Sequence, residues 1–520
     1  MSTITFSTLT GSNVVTTTIS GHGAIENAYV TFSGVEDVGG IPASEINAEH
    51  SISNVTSNTF DIIVSTNAAS DATGGGSNIT AEFQINPGLD TTVAGNGWGA
   101  GNWGRGTWGS AADISASSDQ LRLWTHDNFG EDLILNVYDS GIFYWDKSEG
   151  LDSRAVPLNS LLGADSNTPT IARKILISDR DRHVIAFACD GVGTIGTQDP
   201  LLIRFSDQEN PLDWTPTATN TAGDLRLSSG SGIITAVETR QQILVWTDVS
   251  LHGMQFLGAP FTFGIGLISE NVTIMSPNSA VAVDDTVYWM GAEEFYVYTG
   301  GVQKLPCSVR QYVFNDFNLN QSEKVFSGLN ASFGEIWWFY PSSDSDNIDR
   351  YVVYNYEQQI WYYGNLARTA WLDRGINQFP IAAGTDRYLY FHEFGQSDGS
   401  TVPDSAIDAH IESSQIDIQD GENFAFIRRI IPDITFDGST TDSPNANLVL
   451  KARNFPGGNY LNSQTAGVDR TATVPVEQFT DQVNVRLRGR SFALRVESDQ
   501  EGVAWRLGSP RVEIRPDGKR

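Results

Sequence analysis

The residue types that could carry covalent or metal chemistry are few in this chain and poorly spaced for it. The seven histidines are His22, His50, His126, His183, His252, His392 and His410; none stands four positions from another, and no HExxH occurs. A zinc hydrolase needs two imidazoles on one helix face with a carboxylate between them, so that class is disfavoured. No GxSxG elbow is present to raise a serine nucleophile above an α/β sheet. The glycines of GNGWGAG (95–101) superficially echo a phosphate loop, but tryptophans occupy its turn positions and no Lys-Ser/Thr pair follows. Asp344, Asp346 and Asp349 in DSDNID hint at calcium, yet the glycine and distal glutamate of an EF-hand loop are missing, which favours a solvated turn. With 62 carboxylates in the chain, a glycosidase pair can be neither picked out nor ruled out. No catalytic, metal or cofactor residue is assigned.

The elements that would have to position any such chemistry are strands. Fifty glycines and four methionines, set among many Thr, Val, Ile, Phe, Tyr and Trp, make a strand-and-turn composition. At 520 residues the chain exceeds one ordinary core, so two to four domains are expected. Only Cys189 and Cys307 are present, which excludes a disulfide scaffold and a zinc knuckle and reads as two reduced, half-buried thiols. No run of 18 apolar residues occurs, and the start MSTITFSTLTGS lacks both the basic and the apolar part of a secretory signal. Neither membrane insertion nor conventional secretion is therefore expected.

The formal charge of −30 argues against holding nucleic acid by phosphate neutralisation. That charge is unevenly spread. The last hundred residues carry 14 Lys+Arg against 12 Asp+Glu, whereas the first 420 carry 18 against 50.

In chain order, residues 1–94 alternate apolar and polar in short runs and read as a small sandwich-like β-domain of roughly five strands, with DATGGGS (71–77) as a loop. Residues 95–110 form a glycine–tryptophan connector whose Trp98, Trp103 and Trp108 are candidates for docking between domains or subunits. From 111 to 410, strand pairs begin near Leu133, Val184, Ile243, Val287, Ile336 and Tyr388, at intervals of 44 to 59 residues. That spacing predicts a β-propeller of about six blades, in preference to two stacked sandwiches. Residues 411–520 are strands again, either a separate sandwich or a completion of the propeller. In VRLRGRSFALRVE arginines alternate with apolar residues, so one face packs and the other is basic. The fold class is all-β. Arg486, Arg488, Arg490 and Arg511 are the candidates for a subunit interface, against the plainer reading of arginines on exposed strand faces.

Ser206–Trp214 (SDQENPLDW) resembles the Asp-box turn of sialidase propellers, with the aspartate one place early and the glycine absent. In that family the turn is structural, which implies that Asp207 and Asn210 hydrogen-bond a turn here while Trp214 packs between blades.

Five segments in order carry a wider resemblance: GWGAGNWGRGTWG, LRLWTHDNFGEDLILNVYDSGIFYWD, RFSDQENPLDWTPTATNTAGDLRL, ILVWTDVSLHGMQF and LRVESDQEGVAWRLGSPRVEIRPDGKR. Together they resemble the tail hub, or nozzle, proteins of short-tailed bacteriophages, also called packaged-DNA-stabilisation proteins, over most of residues 95–520. The resemblance implies a non-enzymatic structural subunit of the virion tail, assembled in the bacterial cytoplasm as a homo-oligomeric ring with a hexamer as the expected order. It implies a portal-adaptor ring above, and fibres, spikes or a plug as further partners. Phage DNA would be retained in the channel and then conducted through it without sequence-specific binding or a cofactor. The rival reading is a carbohydrate-binding or glycosidase-type propeller, and a third is an extracellular adhesin.

Overall fold

The computed structural model of the chain describes residues 4–22, 24, 29–84, 121–258, 261–417, 421–455 and 470–519. The regular structure of the described chain is nearly all strand, and the chain divides into two compact units. The first takes residues 1–373 and 383–387, the second 374–382 and 388–520.

The first unit opens with seven short strands in two sheets, two more than the roughly five expected. Their alternation is regular: Thr5–Thr8 and Thr59–Ile63 bury every second side chain. Phe6, Phe32 and Phe60, all fully buried, meet in one core, with Phe6 edge-on to Phe32 at 4.9 Å. The DATGGGS stretch is more ordered than a loop, because Ala72–Gly74 pairs with Phe6–Thr8 as a short strand. Gly75 then turns at φ +131, and a side chain there would run into the Phe6 ring, its Cβ coming to 2.6 Å.

Five four-stranded antiparallel meanders follow. They begin at Trp124–Phe129, Lys174–Ile177, Ile233–Glu238, Ala280–Val283 and Phe326–Asn330, and each pairs its strands in sequence order. The first strand of each meander neighbours the first strand of the next, which is how propeller blades circle an axis. Against about six expected blades, five among the described residues are four-stranded, and a three-stranded sheet of Arg368–Leu372, Ile381–Gly384 and Leu389–Phe391, in sequence order, follows them. Blades are covered on both faces by their neighbours, so their second strands lose the period-two pattern. Val184–Phe187 and Ile243–Thr247 are buried at every position.

Tryptophans fill the spaces between blades. Trp214 lies in a core made from the first and second blades. Trp246 meets Trp289 at 5.3 Å between the third and fourth. Between the fourth and fifth, Trp338 packs on Phe295 at 5.0 Å and donates its indole N–H to the Ser279 carbonyl at 2.9 Å. Beyond the fifth blade, Trp371 stacks on Trp337 and donates to the Leu329 carbonyl at 2.9 Å.

The second unit is a β-sandwich with its own core, including Ile427, Ile430, Leu448, Leu450, Phe492 and Val496. One sheet centres on Asn445–Arg453 and Ser491–Ser498; the other orders Val483–Gly489, Ala425–Ile431 and Arg511–Pro516 side by side. The boundary placed between 410 and 411 cuts a strand: Ala409–Glu412 pairs with Arg495–Ser498 inside this sandwich. Within 388–410, Leu389–Phe391 closes a three-stranded sheet ordered Arg368–Leu372, Ile381–Gly384, Leu389–Phe391, whereas Ala409–Glu412 belongs to the sandwich.

Candidate functional site

Propeller blades share no backbone ladder, and polar side chains join them here around the inner strands. Arg173 precedes the second blade. Its Nε and Nη2 donate to the two carboxylate oxygens of Asp139, each at 2.8 Å, and its Nη1 donates to the Ile233 carbonyl at 2.9 Å. One guanidinium thus ties the first blade to the second and third. Asp139 sits at φ +51 in the hairpin turn after Asp132–Val137, a conformation that aspartate tolerates better than most residues, and it also accepts Gln198 Nε2 at 2.7 Å. The Arg173 guanidinium stands 5.1 Å from the Tyr138 ring. Glu323, from the turn ahead of the fifth blade, lies within electrostatic reach of Arg173, Asp139 and Tyr138.

A second group lies further along the same inner strands. Asp127 accepts the Ile177 N–H at 2.8 Å, Lys174 Nζ donates to Thr235 Oγ1 at 3.0 Å, and Glu238 accepts the Asp179 N–H at 3.2 Å. Burial drives Asp127 upward against the Ile177 and Asn128 N–H groups that lower it, and drives Lys174 down to about 8, outweighing the attraction of Asp127. Burial also drives Glu238 up to about 7, with the carboxylates of Asp179, Asp127 and Asp181 adding to it and the Asp179 N–H opposing it.

The Asp207 turn is structural. Its carboxylate accepts Thr221 N–H and Oγ–H at 2.8 and 2.6 Å, and Asn210 Oδ1 accepts the Leu212 N–H at 3.1 Å. Trp214 is fully buried and donates to the Pro211 carbonyl at 2.7 Å. Beneath it, the buried Arg204 donates to the carbonyls of Asp190, Asn167 and Trp214. In DSDNID, Asp349 accepts the Ser342 N–H and Oγ–H, both at 2.8 Å, so it ties a turn. No group of three or more potential metal ligands is gathered among the described residues. Cys189 is fully buried where a half-buried thiol was expected, and burial raises it to about 12; Cys307 is partly buried and raised to about 11.

Trp98, Trp103 and Trp108 lie outside the described residues. Of the four arginines proposed for an interface, Arg486, Arg488 and Arg511 project from the outward face of the sandwich's three-stranded sheet, Arg486 and Arg511 being exposed. Arg490 follows the end of Val483–Gly489; its guanidinium shares the Phe424 ring with that of Arg488, at 4.9 and 4.1 Å, and donates to the Lys519 carbonyl. Arg428 and Arg429 lie on the same face. The second unit also holds a cavity of about 290 Å³ whose lining includes Gln396, Ile407, Ser498 and Trp505.

No family model and no curated protein matches this chain. Among solved structures, the extracellular domain of a one-component system from B. thetaiotaomicron is 8% identical with a TM-score of 0.32, over 75% of this chain and 56% of its own. The exo-beta-1,3-galactanase of Phanerochaete chrysosporium is 10% identical with a TM-score of 0.24, over 76% and 97% respectively. The endosialidase of phage phi92 is 9% identical with a TM-score of 0.18, over 77% and 57%. Two of these neighbours are thus glycan-cleaving enzymes by name, but at such scores the likeness carries no argument about this chain. The class the coordinates define is an all-β chain that joins a propeller to a β-sandwich.

Two predictions follow from the inner strands. Arg173→Met leaves Asp139 charged and largely buried without its partner, so the propeller should lose on the order of 3 kcal/mol. Adding Asp139→Asn should recover part of that loss, a non-additivity readable by denaturant titration of both variants. For Glu238, the folded-state value lies above that of an unfolded glutamate, about 4.3. Its contribution is therefore complete below that value and lost as pH rises through about 7. Glu238→Gln keeps an acceptor for the Asp179 N–H and removes the ionisation. Differential scanning calorimetry should show a melting temperature raised by about 2–4 °C at about pH 8 and almost unchanged at about pH 5.

Proposed function

We propose that this protein is a non-enzymatic subunit of the tail nozzle of a short-tailed phage. In that role it assembles as a homo-oligomeric ring, a hexamer being the expected order, between a portal-adaptor ring and fibres, spikes or a plug. Genomic DNA is retained in the ring's channel and then passes through it without sequence-specific contact. The observation that supports this best is the segregation of charge. The first 420 residues hold 18 Lys+Arg against 50 Asp+Glu, while arginines gather on one sheet face of the second unit. Such a division suits a chain whose partner is another copy of itself, and an acidic lumen repels a polyanion so that it slides rather than sticks. The segments that carry the family resemblance also fall in architecture. RFSDQENPLDWTPTATNTAGDLRL makes the third and fourth strands of the second blade, and ILVWTDVSLHGMQF the second and third strands of the third.

A second reading, a carbohydrate-binding module, is favoured by the cavity of about 290 Å³ that Trp505 and Gln396 help to line, a space of sugar-like size. Mass photometry on the purified chain separates the two. The nozzle subunit forms a discrete oligomer and neither binds nor cleaves a panel of bacterial polysaccharides. A chain that stays monomeric at every accessible concentration while binding a glycan overturns the proposal.

A further inference from the structure

The outward face of the three-stranded sheet in the sandwich carries six arginines: Arg428, Arg429, Arg486, Arg488, Arg511 and Arg515. The strand register sets them in rows. Arg488 and Arg515 flank Phe426, Asn484 and Glu513 flank Arg429, and Arg511 stands beside Ile431. Two carboxylates lie among them. Glu513 is shared by Arg515 at 2.9 Å and Arg429 at 3.3 Å, and Asp517 pairs with Arg488. Arg486 and Arg511 are exposed and make no ion pair among the described residues. The face therefore keeps a surplus of guanidinium groups in a chain whose net charge is −30.

We propose that this face docks on a carboxylate-rich surface of a second copy of this chain. The inference rests on the assembling-subunit reading given above and names the surface that does the assembling. Guanidinium forks match carboxylates in bidentate geometry, and arginine mixed with apolar side chains such as Phe426 and Ile431 is the composition of protein interfaces. A phosphate backbone fits less well. Glu513 and Asp517 interrupt the basic field, and the chain's overall charge repels a polyanion at long range. A second copy supplies the complement. In an antiparallel meander, the first–second and third–fourth turns fall at one end of the blade. Those turns expose Glu131, Asp179, Glu209, Asp284 and Glu357, of which Glu131, Glu209 and Asp284 already face Lys147, Arg182 and Arg240 within the chain. A head-to-tail contact between two different surfaces is also the kind that closes into a ring.

The test uses the full chain and two double variants, Arg486→Glu/Arg511→Glu and Arg486→Lys/Arg511→Lys. Both positions are exposed, and circular dichroism checks that each variant is folded. Sedimentation velocity across a dilution series reads assembly. Charge reversal should raise the concentration of half-assembly at least about tenfold. The lysine variant should assemble nearly as well as wild type at low salt and lose more of its assembly as salt rises, because the charge stays while the fork is gone. A folded reversed variant that assembles like wild type overturns the inference and leaves the nozzle reading standing, whereas a wild-type chain that never assembles sinks that reading itself. A short fluorescent DNA duplex is titrated in parallel. Binding that charge reversal abolishes, with assembly untouched, would assign the face to nucleic acid and overturn the inference as well.

Discussion

Between propeller blades no continuous backbone ladder forms, only isolated bonds such as Ala172 N–H to the Ser140 carbonyl and Ser327 N–H to the Asn278 carbonyl. Side chains therefore supply most of what fixes one blade against the next. In this chain apolar contacts supply the bulk of that, with Trp214, Trp246, Trp289 and Trp338 buried in the spaces between sheets. Direction comes from the polar contacts of the inner strands. Arg173 reaches an aspartate in the first blade and a carbonyl in the third from its place ahead of the second. A planar guanidinium does this where a lysine could not, because its donors point along fixed and separate directions. The inner strands also gather charge into the interior: Asp127, Lys174 and Glu238 are all pushed toward neutrality by burial.

Much of this architecture was legible in the sequence because it is repetitive. Alternation in the first eighty residues, and strand pairs recurring through 133–388, report directly on which side chains are covered. The rhythm holds to its end, where Leu389–Phe391 in the aromatic run YLYFHEF at 388–394 pairs into a three-stranded sheet with Ile381–Gly384 and Arg368–Leu372. Periodicity reports burial and says nothing of which core the buried face joins. The Asp207 turn was readable for a different reason: its hydrogen bonds are local, so residue type and short spacing suffice.

The arginine face was half legible. Alternation in NVRLRG places Arg486 and Arg488 on one side of their strand, and the structure agrees. Arg428 and Arg429 were missed because two consecutive charges cannot share a face in a regular strand. A register shift between Ile427 and Arg429 resolves the conflict. The run FIRRII, with two adjacent arginines inside an apolar strand, was the signal for such a bulge. Arg490 lies just past the end of its strand, where alternation no longer applies, and meets Arg488 over the Phe424 ring.

The chain combines a propeller whose blades are joined by side chains, a sandwich with its own core, and an arginine-bearing sheet face within a strongly acidic whole. The most direct test is single-particle electron microscopy of the purified, assembled protein. The account predicts a closed ring whose channel is wide enough for duplex DNA and whose wall is lined mainly by carboxylates, with the arginine face of each sandwich buried against its neighbour. A ring with a neutral or basic channel wall and that face open to solvent would contradict it.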